Sequence, residues 1–113
     1  MHTFPTGTTL GAGQSIVVFG SASGIPAGTP NAVASSTGTL SLNNTGDTVT
    51  VKTSSAKSAT TIDTYTYASS LAGTDGVSMN RSPDASATGS FVLHTNISSL
   101  SSSPGERANG TAF

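Results

Sequence analysis

The chain has 113 residues, a formal net charge of −1 and only 8% charged residues, with 39 serines and threonines and 13 glycines in their place. That length suits one domain and not two, and its four basic residues, Lys52, Lys57, Arg81 and Arg107, are too few and too scattered to track a phosphate backbone or an anionic membrane surface. The absence of cysteine excludes disulfides and thiolate metal sites, and the longest purely apolar run, Ile16 to Phe19, is far short of a membrane-spanning helix.

Helical periodicity is nearly absent, whereas alternating runs recur along the chain. The N-terminal MHTFPTGTTL lacks the basic and apolar regions of a signal peptide. QSIVVFG (14–20) reads as a buried strand with Ile16 and Val18 on one face. Residues 20–38 form a long Gly/Pro/Ser/Ala loop, with regular structure expected only near Ala32–Ala34. LSLNNTGDTVTV (40–51) predicts a β-hairpin, Leu40 and Leu42 on one strand and Val49 and Val51 on the other, turning through NNTGD at Gly46. SSAKSA (54–59) is a polar turn. TTIDTYTYA (60–68) is a strand in which Ile62 and Tyr65 differ in parity, so a bulge near Asp63 is needed to bury both. GVSMNR (76–81) and GSFVLHT (89–95) are two further short strands, with Val77 and Met79, then Phe91 and Leu93, in phase.

Short strands separated by turns, without helix, predict an all-β domain built as a sandwich of antiparallel sheets. The expected core is Leu10, Ile16, Val18, Leu40, Leu42, Val49, Val51, Ile62, Tyr65, Tyr67, Val77, Met79, Phe91 and Leu93.

The order of motifs resembles the lamin tail domain family, the immunoglobulin-like module at the end of nuclear lamins that also occurs in bacterial secreted proteins. FPTGTTLGAGQSIVVF (4–19) is similar to the family's P-x-G-T-x-L-x-x-G-Q turn and the strand after it. LSLNNTGDTVTV, TTIDTYTY, GVSMNRSPD and the Pro-Gly turn of SPGERANG (103–110) follow in the family's order. The resemblance implies an immunoglobulin-like β-sandwich over residues 1–113. The family's earlier acidic strand and G-W turn have no counterpart here, so the chain is expected to be an N-terminally truncated module, with any signal peptide upstream. Missing strands would leave unpaired edges open to self-association.

The segment DGVSMNRSPDASATGSFVLHT (75–95) holds the densest set of reactive side chains: Asp75, Ser78, Arg81, Asp84 and His94. A Ser–His–Asp hydrolase would use His94 with Ser78 and Asp84 or Asp75. However, no G-x-S-x-G elbow exists, and the parity of His94, opposite to Phe91 and Leu93, places it outward or at a rim. Structural anchoring is the reading preferred: Arg81 fastening loop carbonyls or a carboxylate, with Asp47, Asp63 and Asp84 as its possible partners, Gly46 in a turn, and Pro104 and Gly105 closing the domain. No D-x-D-x-D-G calcium loop is present, two histidines 92 residues apart make a poor zinc set, and the Gly-rich stretches precede no helix that would hold phosphate. No cofactor is expected. Four of six asparagines, Asn43, Asn80, Asn96 and Asn109, lie in N-x-S/T sequons, against about two expected by chance in so Ser/Thr-rich a chain. The functional expectation is a non-catalytic binding module of a secreted or surface bacterial protein, acting in adhesion, tethering or assembly with a protein or cell-surface partner. Lamin-like nucleic-acid or protein scaffolding and a small hydrolase are the alternatives.

Overall fold

A computed structural model describes residues 1–113. It is β-rich, 26% strand and 9% helix, and its strands form three two-stranded pairs. β1 (Val17–Phe19) pairs with β2 (Ala32–Ala34), β3 (Gly46–Lys52) with β4 (Thr61–Ala68), and β5 (Met79–Ser82) with β6 (Ser90–Leu93). A single α-helical turn, α1 (Ser69–Ala72), follows β4, and 3₁₀ turns occupy Ala22–Gly24 and His94–Asn96.

The first pair is parallel, which differs from the all-antiparallel expectation. Parallel strands need a crossover of roughly a dozen residues, and the loop rich in Gly and Pro between Phe19 and Ala32 supplies it. Val17 N–H donating to Asn31 O at 3.1 Å and Ser35 N–H donating to Phe19 O at 2.7 Å extend the pairing at both ends. Ser15 Oγ, donating to Gly105 O at 3.0 Å, ties this pair to the C-terminal segment.

The hairpin lies one segment later than the alternation of leucines predicts. Residues 40–45 form no strand: Ser41 sits at φ 53, which an extended run cannot accommodate, and the chain turns through Asn43–Gly46. Gly46 opens β3 at φ 133, and a Cβ there would lie 2.9 Å from Tyr67 O. β3 then pairs antiparallel with β4 across the polar 53–60 connection, with Val49 opposite Tyr65 and Asp47 opposite Tyr67. The register shifts opposite Val51 and Lys52, which face Asp63 and Thr61 and leave Ile62 unmatched. This bulge falls beside Asp63 as expected, but it turns Ile62 into solvent, 65% exposed, instead of burying it.

One face of this hairpin carries Val49, Val51, Tyr65 and Tyr67; the other carries a ladder of threonines. Thr48 and Thr66 hydroxyls meet at 2.7 Å, and those of Thr50 and Thr64 at 3.0 Å. The Val/Tyr face turns toward β5–β6, where Tyr65 stacks on Phe91 with ring centroids 3.9 Å apart.

The core is smaller than the apolar pattern predicts. Only Tyr67, Ala108, Ser35 and His94 are fully buried. Tyr65, Val77, Met79, Phe91, Leu93, Ile16, Val18 and Leu40 are half-buried. Leu10, Leu42, Val49, Val51 and Ile62, all expected inside, are exposed, because two-stranded pairs cover each face from one side only. The chain makes 37 backbone–backbone hydrogen bonds, about half of the roughly 75 usual for this length. Each strand pairs with one other strand and has one edge on which no strand pairs.

Candidate functional site

The segment 75–95 folds as β5, a turn and β6, and it gathers most of its polar side chains against the C-terminal segment. The turn begins at a cis Ser82–Pro83 bond, with Ala85 at φ 54 and Ser86 N–H donating to Pro83 O at 3.3 Å. Arg81, on β5, reaches across it: Nη1 donates to Ser86 O at 3.1 Å and to Ala87 O at 2.9 Å. Nη2 reaches Asp63 Oδ2 on β4 at 3.4 Å, and the guanidinium lies 4.9 Å from the centre of the Phe91 ring. One side chain thus fastens the 83–89 turn, β4 and the aromatic stack.

Of the three carboxylates considered for Arg81, only Asp63 meets it. Asp47 stays on its own hairpin, accepting from Thr48 N–H at 2.8 Å and from Asn43 Nδ2 at 3.3 Å. Asp84 accepts from Asn80 Nδ2 at 2.9 Å with one oxygen and from Ala108 N–H at 3.0 Å with the other. Asp75 is exposed and outside the cluster. Pro104 and Gly105 form a turn closed by Glu106 N–H on Ser103 O at 3.1 Å. Gly105 sits at φ 81, and a Cβ there would be crowded, 3.0 Å from Pro30 O.

His94 departs most from expectation. It has no solvent-exposed surface and is the largest fully buried side chain. The parity argument fails because β6 ends at Leu93 and His94 opens a 3₁₀ turn, so its direction is no longer set by the strand. Its ring bridges two parts of the chain. Nε2 lies 2.8 Å from Ala108 O, and Nδ1 lies 3.2 Å from Ser78 Oγ. A carbonyl only accepts, so Nε2 carries the proton toward Ala108; with that tautomer Nδ1 accepts from the Ser78 hydroxyl. Backbone contacts reinforce the tie: His94 N–H donates to Ser78 O at 2.9 Å, and Ser78 N–H donates to Ser101 O at 3.0 Å.

Ser78, His94 and Asp84 therefore share one network without forming a catalytic triad. A triad needs its carboxylate on the imidazole, to orient the ring as it takes a proton from the nucleophile. Here Asp84 binds the N–H of Ala108, while His94 binds the C=O of the same residue. The nucleophile–base pair is also sealed at His94. Ser78, His94 and Asp84 lie in one stretch of sequence, but nothing in that stretch signals Ala108, since the partner is a backbone peptide fourteen residues away.

Elsewhere, an open groove of ≈ 510 Å³ lies between the Val/Tyr face of β3–β4 and β5–β6, and a more polar one of ≈ 420 Å³ lies beside Gln14, Asn31 and Glu106. Leu42, Val49 and Val51 form the exposed wall of the first, Tyr65, Met79 and Phe91 its floor, and Asp63 and Arg81 its polar rim. Nowhere do three His, Asp or Glu side chains come together as metal ligands. No helix is long and apolar enough to cross a membrane. Scanned against family models, curated proteins and solved structures, the chain matches none of them.

Proposed function

We propose that this chain is a non-catalytic binding module of a secreted or cell-surface protein, of the immunoglobulin-like, lamin-tail type, acting in adhesion, tethering or assembly. The observation that carries the reading is the division of its surface. Ser78, Arg81, Asp84 and His94 are engaged in closing the fold, whereas the groove between β3–β4 and β5–β6 is an accessible apolar concavity with an ion pair at its rim. Binding sites are built in this way, mostly apolar with a few placed polar groups. The lamin-tail assignment rests on the order of the sequence motifs alone.

Lamin-like nucleic-acid scaffolding finds less support. Arg81 is committed to Asp63 and two carbonyls, and Arg107 to Ala112 O and the Phe113 ring, which leaves only Lys52 and Lys57 free on the hairpin.

A serine-reactive fluorophosphonate probe tests the absence of catalysis directly. The expected result is no labelling of Ser78 in folded protein, with Ser78→Ala indistinguishable from the parent chain. Covalent labelling at Ser78, lost in that variant, refutes the reading.

A further inference from the structure

We infer that the outer edge of β3 is a homotypic docking edge, on which a second copy of this chain adds its own β3 in antiparallel register across Val49. The inference gives the assembly role proposed above a defined contact, but it stands on the geometry of this edge alone.

The hydrogen-bonding direction of β3 follows from two local contacts. Thr48 N–H is held by Asp47 Oδ1 at 2.8 Å, and Thr64 N–H by Asp63 Oδ1 at 2.9 Å, so both donors lie outside the β3–β4 ladder. The short hydroxyl contacts of Thr48 with Thr66 and of Thr50 with Thr64 fit the closely spaced, non-hydrogen-bonded positions of an antiparallel pair. The backbone N–H and C=O groups of Thr48 and Thr50 therefore point to the outer edge. Residues 48–52 are exposed, and no other strand pairs there.

The sequence of that edge complements itself. In Asp47-Thr48-Val49-Thr50-Val51-Lys52, antiparallel pairing centred on Val49 sets Thr48 opposite the partner's Thr50, and Thr50 opposite the partner's Thr48. These are the residues whose backbone groups face outward, so the two strands exchange hydrogen bonds without a shift of register. Thr–Thr pairs repeat the ladder already present within the hairpin, and Val49 meets the partner's Val49 on the apolar face. In this register Asp47 falls opposite the partner's Val51 on the apolar face, while Lys52 lies on the threonine face, opposite the partner's Gly46, so no like charges are set against each other. Parallel pairing would instead stack like charges. Thr48 N–H exchanges its cap on Asp47 for the partner's Thr50 carbonyl. The contact is isologous and closes after two copies. The outer edge of β4 offers no equivalent: it is broken by the bulge at Ile62 and occupied by the Asp63–Arg81 pair.

Because the chain has no cysteine, crosslinking reads the register cleanly. Val49→Cys places two thiols at the symmetry axis, where opposed Cα atoms stand about 4.5 Å apart, within disulfide reach. Thr50→Cys places them roughly 8 Å apart, beyond it. Air oxidation is expected to convert Val49→Cys, and not Thr50→Cys, into a disulfide-linked dimer. In sedimentation equilibrium without crosslinking, the parent chain is expected to dimerise reversibly. Thr50→Pro removes an outward donor without touching the β3–β4 ladder, and should leave a folded monomer. The inference is overturned by a parent chain that stays monomeric to millimolar concentration, by equal crosslinking of the two cysteine variants, or by a folded Thr50→Pro variant that still dimerises. None of these readouts involves a ligand, so their failure would leave the binding-module reading standing.

Discussion

Replacing His94 by alanine tests whether the buried tie holds the C-terminal segment in place. The ring has 0% exposure, so its removal opens a cavity, at a cost of about 2–4 kcal/mol by comparison with other large-to-small substitutions. Ala108 O then loses the donor at 2.8 Å, and stranding it adds about 1–3 kcal/mol, whereas Ser78 Oγ loses its contact at 3.2 Å but keeps Ser101 O at 3.4 Å. Partial relaxation and entry of water bring the expected total to about 4 kcal/mol. For a domain with four buried residues that is a large share of the roughly 5–15 kcal/mol available. Urea unfolding followed by circular dichroism should show the midpoint falling by about 2–4 M, given a slope near 1–2 kcal/mol per M. Ser78→Ala removes only the hydroxyl facing Nδ1 and should cost about 1 kcal/mol. A loss below about 1 kcal/mol for His94→Ala would refute the reasoning, since it would mean that the ring neither fills space nor bridges the two segments in solution.

Arg81→Lys keeps the charge but loses the fork that serves Ser86 O, Ala87 O and Asp63 together; a loss of about 1–2 kcal/mol in urea unfolding is expected. Ala85→Gly should stabilise by about 0.5–1 kcal/mol, because Ala85 occupies φ 54 at an exposed turn position where glycine carries no Cβ penalty. Gly46→Ala should cost at least about 2 kcal/mol, with the thermal midpoint lowered accordingly, since the new Cβ would meet Tyr67 O at 2.9 Å with φ at 133.

The parts of the fold legible in the sequence are those set by neighbours along the chain. The strand over 61–68, its bulge beside Asp63, the polar 54–59 turn and the Pro104–Gly105 turn follow from alternation and turn chemistry, which act over a few residues. Pairing was less legible. Leu40 and Leu42 alternate as a strand would, but the left-handed backbone at Ser41 breaks the run, and β3 takes its partner from beyond the turn. His94 shows the other limit. Parity predicts a direction only while a strand lasts, and β6 stops one residue earlier. Arg81 was recognisable as an anchor type from its fork and its scarcity, whereas its choice of Asp63 over Asp47 or Asp84 depends on how β4 lies against β5. No local pattern encodes that placement.

Val49 and Val51 decide whether the apolar groove is open in solution. By pattern both belong to a core, yet they are 45% and 47% exposed along the wall of the groove. A fully buried valine contributes about 1.5–3 kcal/mol, so at half exposure each contributes about 1. Val→Thr conserves shape and exchanges a methyl for a hydroxyl, which water can reach in an open groove but not in a covered one. In dilute monomer, Val51→Thr should therefore cost under about 0.7 kcal/mol, whereas a hydroxyl trapped without a partner costs about 1–3. The decisive variable is concentration. Pairing at the β3 edge leaves the face of Val51 open, so the small cost should persist when the protein self-associates. Unfolding of the parent and of Val51→Thr, compared by circular dichroism at low and high protein concentration, separates the cases. A cost that stays small at both supports an exposed groove ready for a partner. A cost that rises above about 1.5 kcal/mol with concentration means that a second copy covers the groove itself, and the docking edge would then have to be moved from the rim of β3 to its Val/Tyr face.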